Sequence, residues 1–486
     1  MATVGVTTSA AASIDTQVEW FKRSWLPSEI EESYEITEIE GEIPRELNGT
    51  LYRNGPSQRQ LPPEGYEALH LFDGDALVHA FRFDDGKAHY TGKFVENESY
   101  LIEQEEGRYC MSSFRIVAEN PTDKVFLREQ PNTNIVYHAG KLMALVENAW
   151  PFQIDARTLA PIGKTDYGVE QLGMSVAAHP KIDARTGQMI SHGYQPFEPY
   201  VQLYVVESDG KASLAEPLDV PYASMMHDIA ITENYVILLL CPVVIDGEPL
   251  IAGEKQFSDC LSWQPERGMK FGVRKREPGA QIQWFDAPSP GFIFHPGNAY
   301  EEDGKIIMDT CTYRDPKALL DSLNTWRSGR MSGNWSANPF LYEMDLATGK
   351  CTEQQLDSRS AEFPRLDDRY TGYKNRYGFA LMSNGDSAEP VAAWLNTVRY
   401  DRQGGSNQVH HWDEGQFVSE PVFAPRSADA EEGDGFVVCT VFDAPSDKSF
   451  VAVLDAQNVD AAPLAKLHLK HRLPQGFHGN FAHGLV

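Results

Sequence analysis

The sequence predicts an all-β fold built by radial repetition, a β-propeller, and three observations predict it. From about Tyr34 to the C-terminus, short alternating or aliphatic runs are separated by turn signals. Several of those signals are Asp-Gly pairs, at Asp85-Gly86, Asp209-Gly210, Asp246-Gly247, Asp303-Gly304 and Asp434-Gly435, which tolerate the positive φ of a tight hairpin. A related turn recurs as DART at 155–158, DARTG at 183–187 and DLATG at 345–349. Hairpins repeated along nearly the whole chain fit a propeller better than a sandwich.

Taken in order, residues 1–14 are small and polar and read as a disordered lead. Val18, Phe21 and Trp25 then recur at helical spacing, with Asp15 as the cap, so a short helix is expected over 15–25. In the middle of the chain, Tyr222–Leu240 ends in the aliphatic run Tyr235–Leu240, expected to be a strand buried on both faces, after a turn at Thr232–Asn234. Segments 258–279 and 315–336, rich in Arg, Ser and Trp, are expected to be loops or short helices capping one face of the propeller. No linker interrupts the pattern, so residues 15–486 are expected to form a single domain.

Composition narrows the partners. The formal net charge of -28, from 70 acids against 42 bases, disfavours nucleic acid and anionic lipid as electrostatic partners. The six cysteines are scattered with no C-x-x-C pair, as expected of reduced thiols in a cytoplasmic protein. No apolar run approaches the roughly 20 residues of a membrane span. Peripheral membrane contact through an apolar patch stays open.

Four of the fourteen histidines share a setting. His179 (SVAAHPKID), His227 (SMMHDIA), His295 (GFIFHPGNAY) and His478 (QGFHGNF) each lie in a short, non-helical, mostly uncharged stretch where a strand meets a loop. Their separations suit one ligand from each of several blades, converging on a shared axis as a neutral nest for a divalent first-row metal. A metal-bound imidazole usually donates its other N–H to a carboxylate. Glu147, Glu362 and Glu420 sit in apolar segments where such a partner is expected. His410-His411 and His468/His471 also mimic metal spacings, but residues one or three apart on a strand point to opposite faces. His89, His138, His192 and His468 are read as surface residues.

These stretches together resemble the carotenoid cleavage oxygenase family. The resemblance runs from about residue 35 to 483 through GEIPRELNGTLYRNGP at 41–56, LFDGDALVHAFRF at 71–83, AHPKID at 178–183, MHDIAIT at 226–232, FHPGNAYEEDGKIIMD at 294–309, EFPRLDDRY at 362–370, EPVFAPR at 420–426 and the final GFHGNF. It implies a seven-bladed propeller with Fe(II) held on the axis by His179, His227, His295 and His478, supported by Glu147, Glu362 and Glu420. No residue beyond that centre is implied as a catalytic acid or base. Phe72 would lie near the metal and the substrate, and Ala76 replaces the last glycine of its segment. At the places where stilbene-cleaving members carry a tyrosine and a lysine, this chain has Phe114 and Val146. The implied reaction is cleavage of a carbon-carbon double bond by O2 into two carbonyl products, on an apolar polyene such as an apocarotenoid, with Met226, and Met225 beside it, as further candidates for the substrate wall. A stilbene or phenylpropanoid alkene is the alternative substrate, and a non-catalytic propeller scaffold is the alternative of another class.

Overall fold

The computed structural model describes residues 13–60, 71–111, 128–147, 149–169, 174–252, 254–255, 257–323, 336–383 and 395–486. Seven antiparallel sheets of four to six strands follow one another as blades. Blades two to six each use four strands, consecutive but for a two-stranded ribbon inserted in blade four, and begin with Asn134–His138, Lys181–Ile182, Ile229–Ile231, Phe292–Glu302 and Ala361–Arg365. The seventh begins with Gln416–Val418 and Val422–Pro425, which both pair with Gly435–Asp443. These first strands touch their counterparts in neighbouring blades, so they line the axis.

Both ends of the chain close the ring. The early strand Ile39–Gly41 completes the seventh blade against Ala465–His468, and the last strand, Gly479–His483, pairs with Gly49–Ser57 to complete the first. Closure of this kind leaves no long unpaired edge at the junction.

The core lies between blades. In Tyr235–Leu240, Val236, Leu238 and Leu240 pack into the cluster shared with the third blade, while Ile237 and Leu239 pack into the cluster shared with the fifth. Alternation sends successive side chains to opposite faces, and here both faces are covered, which is why the run is aliphatic throughout. Each such side chain contributes about 1.5–3 kcal/mol by burial.

Local signals fared unevenly. Asp85-Gly86 and Asp303-Gly304 make hairpin turns with positive φ at both residues, 43° and 73°, and 49° and 75°. Asp246-Gly247 instead opens the helix Gly247–Ile251, and Asp434-Gly435 leads into a strand. The recurring turn is one motif: Asp155, Asp183 and Asp345 each accept backbone N–H bonds from the second and third residues onward through Oδ1. The N-terminal helix spans Ile14–Ser24, but its cap is Ser13, whose hydroxyl accepts the Thr16 N–H; Asp15 falls inside the first turn. Val18 and Phe21 seat this helix on Phe417 and Phe442.

Segment 258–279 departs from expectation, since Lys270–Lys275 is a central strand of the fourth blade. Its signal is masked by Gly272, over which Trp284 lies so closely that a Cβ would sit 2.8 Å from the indole, and by the buried Arg274, paired with Glu216. Within 315–336 the helix Lys317–Leu323 fits the expected cap, and 324–335 lie outside the described residues. Among the described residues no helix is long and apolar enough to cross a membrane.

Candidate metal centre

His179, His227, His295 and His478 converge: one nitrogen from each lies within 4.8 Å of every other. The propeller explains the convergence. His179, His227 and His478 stand one or two residues ahead of the first strands of blades three and four and of the last strand of blade one. His295 differs from expectation in lying inside a strand, at an irregularity in register between Ile293 and Pro296 that turns its ring to the axis. The rings of His179 and His227 are 4.4 Å apart between centroids and those of His227 and His295 5.1 Å.

The three predicted glutamates stand behind three of these rings. His295 Nδ1 donates to Glu362 Oε2 at 2.6 Å and His478 Nδ1 to Glu420 Oε1 at 2.9 Å, while His227 Nδ1 meets Glu147 Oε1. Among the described residues His179 has no carboxylate at hydrogen-bonding distance; its Nδ1 is 4.0 Å from Asp228, which is bound instead by Lys181 Nζ at 2.8 Å. With Nδ1 engaged in this way, Nε2 is left for the axis. The Nε2 atoms of His179 and His295 are buried with no hydrogen-bond partner among the described residues. Buried polar atoms are rarely left so, and four imidazole nitrogens at this spacing fit a divalent first-row metal.

The carboxylates differ in their surroundings. Glu420 also meets Arg53 at 3.2 Å, Arg365 at 3.3 Å and the Gly479 N–H at 2.8 Å. Burial opposes its charge, yet Arg365, His478 and Arg53 outweigh burial and hold the carboxyl far below its ordinary range. Glu362 accepts the Phe363 N–H at 2.7 Å, and Phe363 takes a φ of 53° that non-glycine residues rarely adopt. In that conformation its ring stacks on His295, 5.5 Å between centroids. Burial and then its three ring neighbours push His179 well below its ordinary value. Burial, against the pull of Glu420, lowers His478 to about 3. For His295 burial works to lower the value, but Glu362 and Asp228 together outweigh it and the net shift is upward. Neutral His179 and His478 rings are ready to donate to a metal without first losing a proton.

Two cavities meet at the cluster. One, of about 300 Å³, has Phe72, Val146, Met225, Leu250 and Phe257 on its walls and reaches His227 and Glu147. The other, of about 370 Å³, reaches His179, His295 and His478 among Lys181, Arg365 and Asp368. Phe72 lines the first of these cavities, its ring 5.1 Å from that of Phe477 between centroids, and its carbonyl is held by Asn132 Nδ2 at 3.0 Å. Val146 is on the wall. Met226 is not: it is fully buried in the core between blades three and four, and the methionine on the wall is Met225. The two face opposite ways along an extended segment, so only one can reach the cavity. Phe114 lies outside the described residues.

Sequence reasoning missed Arg53, Arg365, Asp228 and Tyr194, whose roles exist only once blades are adjacent. His192, expected at the surface, is fully buried and donates from Nε2 to the Met226 carbonyl at 2.7 Å; His138 is buried too, bound to the Gly187 carbonyl. His410 and His411 bond separately, to the Ala461 carbonyl and to Asn396 Oδ1.

Residues 25–483 match the model of the family described as retinal pigment epithelial membrane protein. The chain is 32% identical over 479 residues to the carotenoid 9,10(9',10')-cleavage dioxygenase 1 of Phaseolus vulgaris, covering 91% of this chain and 85% of the relative. It is 31% identical to the lignostilbene-alpha,beta-dioxygenase isozyme III of Sphingomonas paucimobilis over 94% of this chain and 95% of the relative. The crystal structure of the cobalt-substituted Synechocystis apocarotenoid oxygenase superposes with a TM-score of 0.85 at 29% identity, covering 96% of this chain and 99% of that one.

Proposed function

Since the chain belongs to the carotenoid cleavage oxygenase family, the one whose model is described as retinal pigment epithelial membrane protein, we propose that it is an Fe(II)-dependent dioxygenase that cleaves a carbon-carbon double bond of an apolar polyene of apocarotenoid type. One observation carries the reading: four histidines converge, the Nε2 atoms of His179 and His295 have no hydrogen-bond partner among the described residues, and through His227 the cluster adjoins a cavity walled by Phe72, Val146, Met225, Leu250 and Phe257. Bound there, Fe(II) supplies the redox access to O2 that lets both oxygen atoms end in the two carbonyl products.

The protein's own part is positional. Glu147, Glu362 and Glu420 fix the tautomer and orientation of three rings, while the neutral His179 completes the set. The glutamate charges offset a divalent cation, although Arg53 and Arg365 already balance that of Glu420. The apolar walls hold the alkene beside the histidines and keep bulk water away from it. The overall reaction, an alkene and O2 giving two carbonyls, neither releases nor consumes a proton.

A second reading, cleavage of a stilbene or phenylpropanoid alkene, is favoured by Tyr194 and Glu147, which give one wall of the same cavity hydrogen-bonding atoms for a phenolic hydroxyl. Val146 weighs against it by offering none. We further place the enzyme in the cytoplasm, consistent with six free cysteines, and in peripheral contact with lipid. Support for the contact comes from Phe197, a large apolar residue 37% exposed, which adjoins Pro196 on the cavity wall. Flotation with neutral vesicles that survives Phe197→Asp unchanged would remove that element. The metal reading is tested by anaerobic loading: one Fe(II) per chain is expected, and a His295→Ala variant with the same stoichiometry would refute it.

A further inference from the structure

The three carboxylates that back the histidines are not equally confined. Glu362 and Glu420 have side chains only 2% exposed, whereas Glu147 is 21% exposed on the wall of the apolar cavity. A carboxylate with a free edge would rotate and hydrate, and its bond to His227 would weaken accordingly. What confines it is Tyr194, whose hydroxyl donates to Glu147 Oε2 while Oε1 faces His227 Nδ1. From the other side Ser175 Oγ holds the Glu147 carbonyl at 3.1 Å.

Tyr194 ends the strand Met189–Tyr194 of the third blade, and His192 precedes it by two positions on the same face. The His192 Nε2–H binds the carbonyl of Met226, the residue before His227. One strand therefore braces both the backbone that delivers His227 and the carboxylate that orients it. Burial, and then Glu147, raise the Tyr194 hydroxyl well above its ordinary value, so it stays a donor throughout the working pH range.

We propose that Tyr194 is a positioning residue of the metal centre: it holds Glu147 against His227, and because it also lines the apolar cavity it is the point at which a cavity occupant meets the ligand set. The inference rests on the metal reading above. Its contribution is separable from general packing because another tyrosine of the same blade, Tyr204, donates a comparable buried bond to the Met174 carbonyl without touching any ligand.

The experiment uses Co(II), the metal held by the superposed relative. Wild type, Tyr194→Phe and Tyr204→Phe are compared by chelator competition and by the electron paramagnetic resonance of the bound ion. Tyr194→Phe is expected to bind Co(II) about tenfold more weakly, the lower end of the effect of outer-shell partners, and to show shifted g-values. Tyr204→Phe should keep wild-type affinity and spectrum. A Tyr194→Phe protein with wild-type affinity and spectrum overturns the inference while leaving the metal reading intact; a wild type that binds no Co(II) overturns both. Should Tyr194→Phe fail to fold, 3-fluorotyrosine at position 194 keeps the hydroxyl and decides instead. Its ¹⁹F resonance should move on adding Zn(II), and an unmoved resonance overturns the inference.

Discussion

Glu362 and Glu420 do the same thing for their histidines but stand in different company, and substituting each by glutamine should separate metal binding from stability. Both variants keep an acceptor of the same shape and remove one charge. Either should weaken metal binding by about 10–100-fold, as loss of a ligand's carboxylate partner generally does. Stability should diverge. Glu362→Gln leaves no guanidinium uncompensated and should cost about 1 kcal/mol, the scale of one hydrogen bond. Glu420→Gln leaves the charge of Arg53, which is 3% exposed, without a carboxylate among the described residues, while Arg365 keeps Asp368. Breaking a buried pair in this way costs about 3–5 kcal/mol, and the partner retained by Arg365 places the value near 3. At about 2.1 cal/mol/K per residue, a chain of 486 residues has an unfolding entropy of about 1 kcal/mol/K, so the melting point should drop by about 3 °C for Glu420→Gln and about 1 °C for Glu362→Gln. Differential scanning calorimetry of the metal-free proteins reads the difference. Equal losses in the two variants, or a Glu420→Gln protein that melts with wild type, would refute the reasoning.

The remaining predictions concern the scaffold. Leu239→Ala empties a site buried between blades four and five and should cost about 2–5 kcal/mol in urea unfolding; a loss below 1 would mean the blades close over the gap. Gly272→Ala puts a Cβ 2.8 Å from Trp284 and should cost about 1–3 kcal/mol, with Trp fluorescence altered in the native state. Asp183 is buried against Arg276 at 2.8 Å; burial opposes its charge, but that bond and the backbone amides of Arg185 and Thr186 lower its carboxyl below the ordinary value. A lowered folded-state value contributes stability that is present above the unfolded value near about 3.9 and is lost as pH falls through the folded one. Asp183→Asn should therefore cost more at pH 7 than at pH 3, and an equal cost at both would contradict the assignment.

Much of this was readable before any coordinates. The four histidines stood out because each sits in a short, mostly uncharged stretch that reads as a strand meeting a loop, although His295 lies inside its strand, and Tyr235–Leu240 announced its two buried faces by being aliphatic throughout. Other features were hidden for identifiable reasons. The strand Lys270–Lys275 carries a glycine that accommodates an indole and an arginine whose charge is answered by Glu216, fifty-odd residues away, so no local pattern marks it. Met225 and Met226 are indistinguishable in sequence, and only the local direction of the chain assigns one to the cavity and the other to the core. Arg53, His192 and Tyr194 acquire their roles from neighbours in other blades. The helix cap moved from Asp15 to Ser13 because both residue types cap well and the first turn can begin at either.

The most direct test of the central claim is the mass of the products formed when the Fe(II)-loaded protein is given an apocarotenal and O2. Two carbonyl compounds whose carbons together account for the substrate, each carrying one added oxygen, are predicted. A single product of unchanged mass, or cleavage of 4-hydroxystilbenes with the polyene left intact, would contradict it.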